Sequence, residues 1–419
     1  MEKKQPSDSA DDVSVEVGRV FVEADYANER PSGSSKQLHH TFSARHIQMI
    51  GLAGSIGSGL FIGMGKALRY GNYPGMFLGW GLICTQAWMN MQVMSEACVI
   101  FPTSGAFIDH AARFLDPALA FALGACEWFA WHTTLAAEGS VFRLILTYWT
   151  TELPTAACMT IYLAVVFGIH FMPNRWFAEF EFFTAVLKIL IMVVLIITSI
   201  VMLAGGGPSG TTHHATNYTE LSAFPIGELL SASFWLHFPA VVRSCLGLPT
   251  VRRKCPVWNV PRAVNNLAFR LFFFFGCSII FVSILVPYTD KPLLGPSNIA
   301  AAPYVIALND AGIIFTWFSS VGSTVYFLAY LVIAATNWGM RAAFKAQNDN
   351  PLTLKYAYKN KFYPLGSVFL FASGIFVIAS VFYLSLFPID APTSASNFFQ
   401  TFLCIPLFLV LWIGYKVHL

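Results

Sequence analysis

Charge is scarce in this chain: Asp, Glu, Lys and Arg make up 11% of 419 residues, where a soluble domain carries roughly 25%. With 56% hydrophobic residues and a mean hydropathy of +0.60, that scarcity excludes an ordinary soluble domain and points to a polytopic membrane protein. A formal net charge of +3 makes no basic surface. The Phe272–Phe275 run also lacks interleaved cations, so no nucleic-acid partner is expected. There is no P-loop, no nucleophile elbow and no HExxH, which removes ATP hydrolysis and intramembrane proteolysis. Eight cysteines (84, 98, 126, 158, 245, 255, 277, 404) are scattered through apolar segments without CxxC spacing. They read as small hydrophobes, so neither a disulfide framework nor a metal site is expected, and no cofactor. The polar N-terminus lacks the form of a cleavable secretory signal.

What is present is a succession of apolar segments. Residues 1–44 are polar, mix acids with bases and carry no apolar periodicity, which reads as a disordered cytoplasmic tail before a membrane domain over 45–419. Segments of the length that crosses a bilayer core then recur near 47–67, 75–100, 117–149, 154–172, 181–204, 227–249, 267–288, 312–340, 365–388 and 398–415. The expectation is an all-α protein with about ten transmembrane helices, the third long enough to tilt or to end at the interface. Lys and Arg set its orientation. The tail and the loops at 101–116, 173–180, 250–266 and 341–362 hold most of them and are placed inside. The 205–226 loop has none and carries the glycosylation sequon Asn217-Tyr218-Thr219, which places it outside. Both termini are then cytoplasmic, with the lipid bilayer as the protein's surroundings.

The stretch around which these segments are organised is Gly54-Ser55-Ile56-Gly57-Ser58-Gly59-Leu60-Phe61-Ile62-Gly63. Each interior glycine costs a helix about 1 kcal/mol relative to alanine. Freed backbone groups survive in a bilayer only where protein or a watery cavity satisfies them. A helix broken there offers main-chain donors and a half-helix N-terminus to an anionic group. Close helix packing through small residues explains the same spacing, and both readings stand at this point.

Ionisable side chains within spans are candidates for function. Glu96 closes the second span, as an interfacial acid or a functional one; Glu127 and Glu138 lie in the third. Glu138, beside Ala136, Ala137 and Gly139, should face protein, as a functional acid or in an internal ion pair. Glu181 opens the fifth span, as a dipole partner or a functional acid. Lys188, two turns in, either snorkels or has a cation or proton role. His132, His170 and His237 read as packing residues.

Several motifs occur in an order that resembles one family. Arg45-His46-Ile47-Gln48-Met49-Ile50 runs into the glycine-rich stretch; Phe101-Pro102-Thr103-Ser104-Gly105 precedes Ala112-Arg113-Phe114-Leu115-Asp116-Pro117. Glu179-Phe180-Glu181-Phe182 comes with Lys188, and Val260-Pro261-Arg262-Ala263 is followed by Leu285-Val286-Pro287-Tyr288. Lys361-Phe362-Tyr363-Pro364 and Ile405-Pro406-Leu407-Phe408-Leu409 complete the series. From about residue 38 onward the chain resembles the fungal amino-acid permeases of the amino acid–polyamine–organocation (APC) superfamily. The resemblance implies an inverted five-plus-five repeat followed by two helices. It also implies proton-coupled import of an L-amino acid across the plasma membrane by alternating access. The implied substrate-binding residues are Ser55, Ile56, Gly57, Ser58 and Gly59, with Glu138, Phe238 and Ala240. Lys188 is implied in proton coupling.

Two departures from that pattern matter. The helix-six break usual in the family is replaced by Phe238-Pro239-Ala240-Val241-Val242-Arg243-Ser244, which places an arginine at buried depth. After Ala302-Pro303-Tyr304-Val305-Ile306-Ala307 the chain passes almost directly to Thr316-Trp317-Phe318-Ser319-Ser320. The second repeat is therefore expected to be incomplete, lacking helices eight and nine. The competing expectation is a transport-incompetent relic or isoform with a binding or sensing role; a membrane enzyme lacks any catalytic set.

Overall fold

The computed structural model describes residues 63–101, 103, 105–150, 152–205, 272–274, 276–281, 284, 308–348, 351–353, 357–387, 398–399 and 402–418. Among these, regular structure is entirely helical, as an all-α protein requires: α1 (Gly63–Ile100), α2 (Phe107–Phe114), α3 (Pro117–Trp149), α4 (Thr155–His170) and α5 (Asn174–Leu203) come first. They are followed by α6 (Leu308–Gln347), a 3-10 turn (Pro351–Thr353), α7 (Leu365–Leu386) and α8 (Cys404–His418). Residues 272–274 and 276–281 are also helical.

Local chemistry explains several boundaries. Asp116 caps α3: its carboxylate accepts from the Ala118 N–H at 3.2 Å, and Pro117 takes the first helical position, where a missing N–H is harmless. α3 then runs unbroken for 33 residues, longer than a bilayer core needs. α5 starts directly after Pro173, seven residues ahead of the expected span, because nothing in 174–180 breaks a helix and Ala178 packs inward. Glu181 is consequently two turns into the helix, beyond the reach of the dipole effect first assigned to it. α1 is also longer than expected. It absorbs residues 68–74, read from sequence as a connection between two spans, because Leu68 and Tyr73 pack into the core with 0% and 3% exposure.

α6 is the centre of the bundle, packing against α1, α2, α3, α7 and α8. Residues 323–330 of α6 are all buried, and Tyr326, Phe327 and Tyr330 are among the largest side chains wholly enclosed. Close approach needs glycine at two places. A Cβ on Gly339 would lie 2.5 Å from the Phe114 carbonyl oxygen, and one on Gly374 would lie 2.8 Å from Leu331 Cδ2. α1 lies alongside α6, with Ala97 in one apolar cluster with Met340 and Phe344. α4 and α5 stand at the other extreme, with most of their apolar side chains outward.

Two described helices contain stretches long and apolar enough to cross a membrane on their own, Trp176–Leu203 and Leu365–Tyr383; Thr155–His170 and Cys404–His418 are shorter apolar helices. The long helices α1, α3 and α6 do not pass that test. Gln86, Asn90, Gln92, Ser95 and Glu96 on α1, and Ser323, Thr324, Thr336 and Asn337 on α6, are buried and lower their hydropathy.

Candidate functional site

Of the sequence-derived site residues, Ser55, Ile56, Gly57, Ser58, Gly59, Phe238 and Ala240 lie outside the described residues, as does His237. Glu138 and Lys188 are described, on α3 and α5. Glu138 is half-buried among the buried Ala137, Ser140 and Val141. Gly139 beside it lets α4 approach: a Cβ there would meet the Tyr162 ring at 3.2 Å. Tyr162 crosses to α3, donating its hydroxyl proton to the Leu135 carbonyl at 3.0 Å, and it lies within electrostatic range of the Glu138 carboxylate. The reading that Glu138 faces protein agrees with this setting.

Lys188 is half-buried on the single inward stripe of α5, between Ala185 and Met192, both buried. Its neighbours Val186, Leu187, Leu190 and Ile191 are all exposed. Residues three and four apart share a helix face, so Lys188 is turned toward protein while the apolar residues around it face outward. His132 and His170 are exposed and satisfied within their own helices, through contacts of Nδ1 with the Trp128 and Val166 carbonyls at 2.8 Å each.

The most elaborate polar cluster centres on Glu96. Its carboxylate has no exposure and is surrounded by donors. Asn337 Nδ2 donates at 2.7 Å, Arg341 Nε at 3.1 Å and the Asn360 backbone N–H at 3.0 Å. Arg341 Nη2 completes a two-pronged ion pair, the geometry that makes guanidinium–carboxylate pairs strong. The outer partners are themselves held. Ser367 donates to Asn337 Oδ1 at 3.0 Å, Asn360 Oδ1 accepts from the Phe362 N–H at 2.9 Å, and Arg341 lies over the Tyr363 ring at 3.5 Å. One turn earlier on α1, Gln92 Oε1 accepts from the Tyr358 hydroxyl. Burial and the Glu96 charge push the Tyr358 pKa up to about 12, so this hydroxyl keeps its proton and remains a donor. The cluster fastens the ends of α1, α6 and α7 to residues 358–363. Glu96 alone was visible as a candidate in the sequence; Asn337, Asn360, Ser367 and Tyr358 carry no signature of their own.

A second fastening joins α3 to α8. Asp116 Oδ2 accepts from Trp412 Nε1 at 3.0 Å and from Lys416 Nζ at 3.1 Å. These bonds, Trp412 first, hold its carboxyl below the usual carboxylate range. In α2, His110 Nε2–H donates to the Phe101 carbonyl at 2.7 Å, and burial favours its neutral form. No group of three or more His, Cys, Asp or Glu side chains suited to a metal occurs among the described residues.

Comparison with known proteins assigns the whole. The family model described as Amino acid permease matches residues 46–315 and again 309–419. Amino-acid permease GAP5 of Candida albicans is 27% identical over an alignment of 493 positions, covering 98% of this chain and 79% of its own length. General amino-acid permease GAP2 of the same organism is 29% identical, covering 78% of this chain and 57% of its own. The tryptophan permease of Saccharomyces cerevisiae is 27% identical, covering 92% and 78%. The two family matches meet at 309–315, next to the expected gap in the second repeat. An alignment of 493 positions also exceeds the 419 residues available. With a helical core that keeps its polar groups inside, this chain belongs to the amino acid permease family of the APC superfamily, a family of multi-pass membrane transporters and not of enzymes.

Proposed function

We propose that this protein imports L-amino acids across the plasma membrane together with protons, by alternating access, with both termini in the cytosol. The observation that carries the reading is the family match, which extends over 46–419 and so takes in the glycine-rich opening stretch. In this reading the main chain at Gly57, Ser58 and Gly59 receives the substrate carboxylate, with Ser55 and Ile56 beside it. Phe238 and Ala240 also bind the substrate, and Glu138 faces the cavity from α3. Lys188 is the proton-coupling group. Its inward position on an otherwise outward-facing helix supports this, since a cation with no task belongs in water rather than at that depth.

The test is uptake of labelled amino acids by a permease-deficient fungal cell expressing the whole chain. Uptake that grows as the medium is acidified is the expected result. Replacing Gly57 or Gly59 with leucine should abolish it while leaving the protein in the membrane. A second reading is favoured by one observation, the split of the family match at 309–315. A protein without helices eight and nine would be transport-incompetent, binding its amino acid without moving it. Saturable binding to the purified protein, with no uptake, would distinguish that case.

A further inference from the structure

Glu96 is fully satisfied, yet Gln86, Trp88, Asn90 and Ser95 on the same helix each leave a buried polar atom without a partner, and both amides leave two. Gln86 and Asn90 have 0% exposure, and neither the nitrogen nor the oxygen of either amide has a hydrogen-bond partner. Buried amides are ordinarily paired, and an unpaired one carries the full penalty of its lost hydration. The two are four residues apart and therefore share one face of α1. Ala97, seven residues beyond Asn90, lies on that face and packs with Met340 and Phe344 of α6, so the amides are on the side of α1 that meets α6.

The Glu96 carboxylate is thus held with every bond made, although Ser95 Oγ and Asn360 Nδ2 beside it are unpaired, while the two amides nearer the middle of α1 leave four polar atoms unmade. We propose that α1 is a two-position element. The Glu96 cluster latches it in the position seen here, and the unpaired Gln86 and Asn90 amides favour a second packing against α6 in which they are hydrogen-bonded. Exchange between the two is a step of the transport cycle, so the inference rests on the transport reading. Two packings of similar free energy are what such a balance of made and unmade bonds produces.

Cys98, native to α1 two residues beyond Glu96, is 6% exposed and reports on the motion. In the full chain, maleimide labelling of Cys98 quantified by peptide mass spectrometry should accelerate about tenfold in Glu96→Gln. It should slow severalfold in Gln86→Leu/Asn90→Leu, which removes the reason to leave this position. The double variant should also raise the melting temperature in detergent by about 2 °C or more and lower maximal uptake about tenfold with little change in KM. If Glu96→Gln does not fold, Ser367→Ala, which takes away only the outermost bond to Asn337, should still speed labelling two- to threefold.

Wild-type labelling and uptake in the double variant would overturn the proposal. A lower melting temperature with faster labelling would also overturn it, since the amides would then support the present packing. Labelling and melting need no substrate. A wild-type protein that takes up no amino acid would therefore defeat the transport reading separately, while these two measurements still judge the latch.

Discussion

α5 and α1 are opposite solutions to the same problem. The Trp176–Leu203 stretch of α5 has a mean hydropathy of 2.9 with 6% of its most apolar window buried. It is a helix whose side chains mostly meet the surroundings, which for this family are lipid. α1 carries Gln86, Asn90, Gln92, Ser95 and Glu96, each at 2% exposure or less. In water the apolar side of a helix turns inward. Here, among the described helices, the span of highest hydropathy is largely exposed and the polar stretch of α1 is enclosed, because only protein can satisfy a polar group in hydrocarbon. The lesson is that mean hydropathy finds the helices whose side chains face outward, whereas helices that enclose polar groups look mediocre by that measure. α7 lies between them, at hydropathy 2.3 with 44% of its window buried.

Substitutions on α1 and α6 should therefore act strongly and those on the outer face of α5 weakly. The largest effect is expected from Glu96→Ala, which leaves the half-buried Arg341 and the buried Asn337 without their acceptor. Breaking one side of such a pair costs about 3–5 kcal/mol, readable as loss of folded protein in a detergent melt. Replacing Glu96 and Arg341 together with leucine should recover most of that loss; no recovery would mean the charges themselves hold the helices. Next is Gly339→Val, which forces side-chain atoms against the Phe114 carbonyl and should destabilise by about 1–3 kcal/mol. On α5 the two faces should separate. Lys188→Met should flatten the dependence of uptake on external pH, while Leu190→Ala, on the exposed face, should leave folding and uptake within experimental error. Equal effects from both would erase the distinction drawn between the faces.

The smallest effect belongs to the fastening at Asp116. A carboxyl held below its ordinary 3.8 stabilises the fold at every pH above that value, and the benefit fades as pH falls through the lower, folded-state pKa. Asp116→Asn should thus slightly lower the melting temperature at neutral pH and make no difference in strong acid. A difference that persisted in strong acid would show that the carboxylate's charge is not what holds α8 against α3.

Much of this was legible in the chain, for physical reasons. The scarcity of charge established the membrane class, and runs of apolar residues placed α3, α4 and α7 within a few residues. Lys188 stood out because a cation deep in an apolar helix requires a cause. What escaped the sequence is pairing at long range. Asn337, Arg341 and Asn360 reach Glu96 from 241, 245 and 264 residues away, and neither local spacing nor periodicity encodes that. The junction of α1 was missed for a similar reason. Lys66 and Arg69 read as the end of a span, yet tertiary packing buries Leu68 and Tyr73 and the helix runs on.

The central claim, that the chain moves amino acids with protons, is most directly tested by labelled amino-acid uptake at two external pH values in permease-deficient cells, beside surface quantification of the protein. The account predicts saturable uptake that is faster at the lower pH and loses that difference in Lys188→Met. Abundant protein at the surface with no uptake of any amino acid at either pH would contradict it.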